Sequence, residues 1–255
     1  NQVEFVASGT LPNGKPVILK ADGTVEVIGI SAGLAHGASS VFETPGPAGS
    51  TSVAMLTSTK AIVVYIDAAG SGYTTAVVLE ISGSTITAGT PFQYDGDSDN
   101  VDVVMLTSTK VLSTWRSGSL SNQGLATVLL ISGTTISKGS DVVFETNYLQ
   151  DSSLARLSST QAIVCYRDHG GTNYGTSCII SVSGSTTVTV GTPAVFESAS
   201  TYDVSVATFS STKAIVCYQD AGNGSYLTAR ILSISGSSVS AGTEIVFANS
   251  ASTLP

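Results

Sequence analysis

The sequence predicts an all-β fold, a five-bladed β-propeller with four antiparallel strands per blade, and three observations carry that prediction. First, Thr57-Ser58-Thr59-Lys60-Ala61-Ile62-Val63 returns as Ser158-Ser159-Thr160-Gln161-Ala162-Ile163-Val164 and as Ser210-Ser211-Thr212-Lys213-Ala214-Ile215-Val216, with a weaker copy at Thr107-Ser108-Thr109-Lys110-Val111-Leu112. The steps between copies are 50, 51 and 52 residues, a period of radial or solenoid architectures. Second, a marker ends each of five units: Val41-Phe42-Glu43, Pro91-Phe92-Gln93, Val143-Phe144-Glu145, Val195-Phe196-Glu197 and Val246-Phe247-Ala248. Third, no window holds a 3.6-residue apolar spacing over two turns, which excludes the helical repeats, and the period is too long for leucine-rich repeats.

The elements follow in order. Within the unit after Phe42, apolar runs at residues 52–56, 61–66, 74–81 and 85–92 read as four strands. Polar turns separate them, the last being Ser82-Gly83-Ser84, which recurs as Ser132-Gly133-Thr134, Ser183-Gly184-Ser185 and Ser235-Gly236-Ser237. Glycine there supplies the positive φ that tight hairpins need. Four strands in about 50 residues match a propeller blade. One domain over residues 1–255 is expected, with blades near 1–46, 47–96, 97–147, 148–199 and 200–255. The first is divergent: residues 3–7, 17–19 and 24–28 can be strands around an Ala21-Asp22-Gly23 turn. The competing reading is four blades plus an N-terminal hairpin module.

Composition narrows the function classes. The 255 residues are 42% hydrophobic and only 11% charged, which suits many strands whose outer faces carry hydroxyls instead of ions. A net charge of -8 argues against nucleic acid and anionic membrane surfaces. No apolar run is long enough to span a bilayer, so no membrane insertion is expected. Three cysteines form no metal-ligand spacing. Cys165 and Cys217 share a repeat position with Val64, and Cys178 aligns with Val77, so they read as small buried hydrophobes; a Cys165–Cys178 disulfide is the alternative to free thiols.

Two constellations could carry chemistry. Asp67/Tyr73, Asp168/Tyr174 and Asp220/Tyr226 bracket the turn between second and third strands, a multivalent arrangement suited to glycans, with tyrosine faces for the sugar and aspartates for its hydroxyls. The same residues also suit a purely structural use, with Asp closing its own turn. Trp115 and Arg116 stand at this end in the second unit, and His169 in the third; with the Asp/Tyr pairs they complete the candidate ligand-binding set. The loop carrying Asp95, Asp97, Asp99 and Asp102 alternates carboxylates as a calcium-binding loop does, although it lacks the EF-hand glycine and distal glutamate; calcium is the only cofactor considered, beside a solvated acidic turn. No catalytic residues are expected. A nucleophile elbow is missing, and Glu43, Glu145 and Glu197 recur at one repeat position, which favours a structural use over a single active site. The aromatic markers at 42, 92, 144, 196 and 247, with Tyr65, Trp115, Tyr166 and Tyr218, read as wedges between blades.

The unit running from Val-Phe-Glu through Ser-Thr-Lys-Ala-Ile-Val to Ile-Ser-Gly resembles propeller-like repeats in virion and fibre proteins of tailed bacteriophages. Residues 7–10, 13–19 and 21–25 look like a hairpin of such proteins. That resemblance implies a virion or extracellular setting and a non-enzymatic structural or adhesion module, receptor-binding or decorating. Its partners would be other virion proteins or a host surface glycan, with homo-oligomers on a particle. The runner-up is a secreted bacterial lectin-like carbohydrate-binding propeller; the third reading is a polysaccharide-degrading propeller.

Overall fold

The computed structural model describes residues 6–7, 17–19, 24–27, 48–68 and 72–248. The chain divides into two compact units, Asn1–Ala38 and Ser39–Pro255. In the first, β1 (Val6–Ala7), β2 (Val17–Leu19) and β3 (Thr24–Val27) form one sheet, β3 lying between the others. Its β1–β3 pair is parallel, unlike the antiparallel blades of the repeat. The rest of the expected first blade, with Phe42 and Glu43, lies outside the described residues.

The second unit holds four antiparallel sheets of one design. Blade A comprises β4 (Ala48–Thr57), β5 (Lys60–Asp67), β6 (Tyr73–Ser82), β7 (Thr85–Ala88) and β8 (Phe92–Asp95). Blade B comprises β9 (Ser98–Thr107), β10 (Lys110–Ser117), β11 (Gln123–Ser132), β12 (Thr135–Lys138) and β13 (Val142–Glu145). Blade C has β14 (Leu149–Arg156), β15 (Gln161–Asp168), β16 (Tyr174–Ser183), β17 (Thr187–Val190) and the start of β18 (Ala194–Ser210). The end of β18 opens blade D, completed by β19 (Lys213–Asp220), β20 (Tyr226–Ser235) and β21 (Ser238–Ala248).

One expected strand is two. The run 85–92 breaks into β7 and β8, which pair with opposite halves of β6. Gly89 sits at the break and donates its N–H to Val78 O at 2.8 Å; Gly139 and Gly191 repeat this to Val128 O and Ile179 O. These glycines also mark a close approach of neighbouring blades. A β-carbon on Gly89 would come within 2.8 Å of Thr134 Cβ, and on Gly139 within 2.8 Å of Thr186 Cβ, so any larger residue would push the blades apart.

The opening phrase of each repeat now has a physical reading. The first hydroxyl of the turn accepts the N–H two residues on: Thr59 N to Thr57 Oγ1 at 3.2 Å, Thr160 N to Ser158 Oγ at 3.1 Å, Thr212 N to Ser210 Oγ at 3.2 Å. The following residue reaches across to the next blade. Lys60 Nζ donates to Gly133 O at 3.0 Å, Lys110 Nζ to Gly184 O at 2.7 Å and Gln161 Nε2 to Gly236 O at 3.3 Å.

The core lies between blades, because each β-sheet alternates its side chains to two faces and neighbouring sheets cover one another. Ile62, Val64, Ala76 and Val78 of blade A pack on Val111, Trp115, Leu125 and Leu129 of blade B. Blade C meets B through Ala162, Val164, Tyr166 and Cys178, and meets D through Ile163, Cys165 and Ile179. A Cys165–Cys178 disulfide is therefore excluded: the register pairs Cys165 with Ser177, so the two thiols point to opposite faces and all three cysteines are free. Burial raises the Cys165 thiol well above its usual range and pushes Cys178 up to about 12. Phe144 lies edge-on to Tyr166, centroids 5.5 Å apart, and Phe196 beside Tyr218 at 5.2 Å, both wedged between blades. Phe247, at the same repeat position, is exposed, because no blade among the described residues follows D.

Inner strands are tied by a hydrogen-bond ladder at one register. Ser52 Oγ accepts the N–H of Val103 (3.2 Å), Asp102 Oδ2 that of Leu154 (2.8 Å), and Ser153 Oγ that of Val206 (3.1 Å). Asp102 Oδ1 also accepts from Ser52 Oγ at 2.7 Å, so one carboxylate joins blades A, B and C.

Candidate functional site

The end of the blades where the second strand turns into the third collects most of the charge. At three of the four such turns, those of blades A, C and D, an aspartate is occupied locally. Asp168 Oδ1 accepts from Gly171 N at 3.0 Å and Asp220 Oδ1 from Gly222 N at 2.8 Å; Asp67 O accepts from Gly72 N at 2.9 Å, and Asp67 Oδ2 from Gln93 Nε2 at 3.3 Å. Asp67 lies opposite Tyr73 and Asp220 opposite Tyr226 in register. Of the tyrosines, Tyr73 is exposed and Tyr174 and Tyr226 are half-buried. Trp115 is fully buried between blades A and B, its Nε1 donating to Asp95, and is part of the core.

The acidic loop does not gather its carboxylates. Asp95 accepts from Trp115 and from Ser98 Oγ; Asp99 accepts from Ser50 Oγ at 3.1 Å and pairs with Arg116 at 2.8 Å; Asp102 belongs to the inner-strand ladder. Asp97, in the left-handed region at φ 52°, folds its carboxylate against Gly118. Among the described residues the carboxylates that do converge are Glu197, Asp220 and Glu244, with oxygens within 4.8 Å of one another. A cation is already there: Arg230 Nη2 bonds Glu197 at 3.1 Å and Glu244 at 2.7 Å, and Tyr218 Oη donates to Glu197 at 3.0 Å. Burial, then the Glu197 and Glu244 charges, hold the Asp220 carboxyl above the usual aspartate range.

A different pair of positions builds a repeated niche between blades. Arg116 and Arg167 stand at the same place in their repeats, next to the buried Trp115 and Tyr166. The Arg116 guanidinium lies 4.8 Å from the ring centroid of Tyr148 in blade C, and that of Arg167 lies 4.4 Å from the ring of Tyr202 in blade D. Each has a carboxylate at hand, Asp99 at 2.8 Å and Asp151 at 3.6 Å. Arg167 Nη2 also donates to Gln150 Oε1 and lies 3.1 Å from His169 Nδ1, whose ring meets Tyr148 edge-on at 5.0 Å. Desolvation raises the Asp151 carboxyl, with Arg167 pulling against it. Arg167 is 6% exposed and its Nε has no partner. Beside Arg116 opens a cavity of about 360 Å³ lined by Ile66, Asp97, Ser98, Asp99 and Asn122 with Gly49 and Gly118.

Arg116, Asp99 and His169 were thus legible as candidates. Arg167, Tyr148, Gln150, Asp151 and Tyr202 were not, although a signal existed: a cation recurring at one repeat position beside a buried aromatic. The tyrosines were hidden because they occupy different sequence offsets in blades C and D.

No protein-family model and no curated protein matches the chain. Solved structures do, and they show the fold. A triple-arginine mutant of AofleA from Arthrobotrys oligospora is 10% identical, with a TM-score of 0.53 over 76% of this chain. Aleuria aurantia lectin, in a complex with α-methyl-L-fucoside, is 14% identical with a TM-score of 0.51 over 78% of this chain. The chain spans 58% and 62% of the length of these two. It belongs with them to the β-propeller architecture. A leech intramolecular trans-sialidase is also similar, at 12% identity and a TM-score of 0.47, covering 66% of this chain and 27% of that one. The expectation of a protein without enzymatic activity is corrected: a fold does not fix function, so a missing sequence motif does not decide between catalysis and binding. Among the described residues, no helix is long and apolar enough to cross a membrane.

Proposed function

We propose that the chain is a carbohydrate-binding propeller that holds sugars at inter-blade niches, one formed by Arg116, Asp99 and Tyr148 and the other by Arg167, Asp151, Gln150 and Tyr202. The observation that carries this is the recurrence of one arrangement at two junctions: a guanidinium over the next blade's tyrosine, with a carboxylate beside it. Planar donors, a carboxylate acceptor and an aromatic body are the groups that satisfy the hydroxyls and the apolar face of a sugar ring. Because each arginine is already paired, the niches suit uncharged sugars better than sugar acids. Two equivalent sites on one rigid scaffold give multivalent capture of a glycan-covered surface.

The similar structure that is a lectin supports this reading over the virion role, and it favours an extracellular setting. A host surface glycan is the partner this reading retains from the sequence. The test is a glycan array with uncharged and sialylated sugars, run beside a sialoside hydrolysis assay. Retention on uncharged glycans that falls at least about tenfold in Arg116→Ala supports the niche. Hydrolysis of a sialoside, or binding indifferent to Arg116 and Tyr148, overturns it.

A further inference from the structure

On the second strand of each blade, the residue after the buried ring faces a residue of the first strand. In blade B these are Arg116 and Asp99, in blade C Arg167 and Gln150. Blade A has Ile66 and Gly49 there, where a β-carbon on Gly49 would lie 3.2 Å from Ile66 Cβ. The following blade differs as well. Tyr148 covers Arg116, and Tyr202 covers Arg167. Counted back from Asp102, Ser153 and Ser205, which share one repeat position, Asp97 holds the place of Tyr148 and Asp99 that of Tyr202. Among the described residues, the A–B junction therefore has neither the cation nor the ring that fill the other two, and the cavity of about 360 Å³ opens where Ile66 meets these aspartates.

One charge in this cavity is left over. Arg116 and Asp99 pair at 2.8 Å and cancel, and Asp99 also accepts from Ser50 Oγ at 3.1 Å. Asp97 is exposed, and its carboxylate makes no ion pair among the described residues. A calcium ion needs about six to eight oxygens. Asp95 and Asp102 spend theirs on Trp115 and on the inner-strand ladder, so the single remaining carboxylate suits a monovalent organic cation instead. Apart from Ile66 the side chains of the lining are polar, Asn122 among them, which calls for a body that carries hydroxyls. The volume is near the lower end of the about 300–1,000 Å³ usual for small-molecule sites, enough for one ring.

We infer that the cavity between blades A and B is a site for an amino sugar, whose ammonium pairs with Asp97 while its hydroxyls meet Asn122 and one face of its ring rests on Ile66. The ligand supplies the positive charge that Arg116 and Arg167 supply at the other two junctions. This site goes beyond the two niches for uncharged sugars. It shares Arg116 with the first of them, and it has nothing in common with the niche of Arg167 and Tyr202.

Calorimetric titration of the whole chain with glucosamine, glucose and cyclohexylamine at about pH 6, where the amines are protonated, tests this. Glucosamine should bind at least about tenfold more tightly than glucose, the worth of one charge-assisted hydrogen bond. It should also bind more tightly than cyclohexylamine, a ring ammonium without hydroxyls. Asp97→Asn is the deciding variant, because asparagine tolerates the left-handed φ of 52° at this exposed position and should keep the wild-type melting temperature. It should bring glucosamine down to the affinity of glucose. Ile66→Arg gives blade A the cation of blades B and C and should abolish glucosamine binding; since Ile66 is buried, Asp97→Asn decides the case if that variant fails to fold. Binding of uncharged sugars that depends on Tyr202 should be the same in wild type and Asp97→Asn, so failure of this site and failure of the arginine niches are read separately. Glucosamine bound no more tightly than glucose or cyclohexylamine, or bound equally by Asp97→Asn, overturns the inference.

Discussion

Removing the Asp102 carboxylate should loosen two junctions at once. It accepts from Ser52 Oγ at 2.7 Å across the A–B junction and from Leu154 N at 2.8 Å across the B–C junction, besides its local bond from Val103 N. Hydrogen bonds to a charged group contribute about 1.5–3 kcal/mol when buried, and Asp102 is half-buried, so Asp102→Ala should cost about 2–4 kcal/mol. For a domain of this size that lowers Tm by roughly 4–16 °C. Asp102→Ser is the informative control, because Ser153 performs the same service for Val206 N. A serine there should keep the Leu154 bond and cost about 1 kcal/mol. Urea denaturation of wild type, both variants and a cycle with Ser52→Ala reads these values, with a Ser52–Asp102 coupling of about 1 kcal/mol expected. An Asp102→Ala loss below about 0.5 kcal/mol, or a serine as costly as alanine, would refute the ladder as a source of inter-blade stability.

Three further outcomes follow from the same contacts. Phe144→Ala empties a wedge against Tyr166 and should cost about 3–5 kcal/mol, whereas Phe247→Ala, exposed at the same repeat position, should move the urea midpoint of the monomer little. Asp220→Asn keeps the acceptor for Gly222 N. It should stabilise the fold at neutral pH: a carboxyl raised by burial, Glu197 and Glu244 binds its proton more tightly in the native state, so stability falls as pH rises through that window. Midpoints measured against pH should show the advantage fading toward the ordinary aspartate value of 3.8. Gly139→Val should be among the more damaging turn substitutions, because its β-carbon would enter Thr186 of blade C; a melting temperature equal to that of the wild type would contradict the close approach.

The repeat made the scaffold readable because every blade solves one packing problem with one set of residues. The strand positions, the hairpin glycines and the aromatic wedges each recur with the period, and inter-strand register follows from alternation. What resisted reading lies between blades. Asp102 looked like one of four calcium ligands, yet its bonds go to residues 50 and 52 positions away in sequence. Trp115 looked like a ligand platform because aromatics serve both uses; only the burial of its neighbours decides. Cys165 and Cys178 lie on adjacent strands, but which face each thiol takes depends on a register offset of one residue. The Arg116 and Arg167 niches combine residues from two blades at unequal offsets, so periodicity showed the cations and not their tyrosines.

The most direct measurement is calorimetric titration of uncharged monosaccharides that the array selects, into wild type and into Tyr148→Ala and Tyr202→Ala, with each variant's melting temperature recorded. The account predicts two sites in the wild type and one in each variant, with melting temperatures little changed. An undiminished number of sites in both variants, or no sugar bound by the wild type, would contradict it.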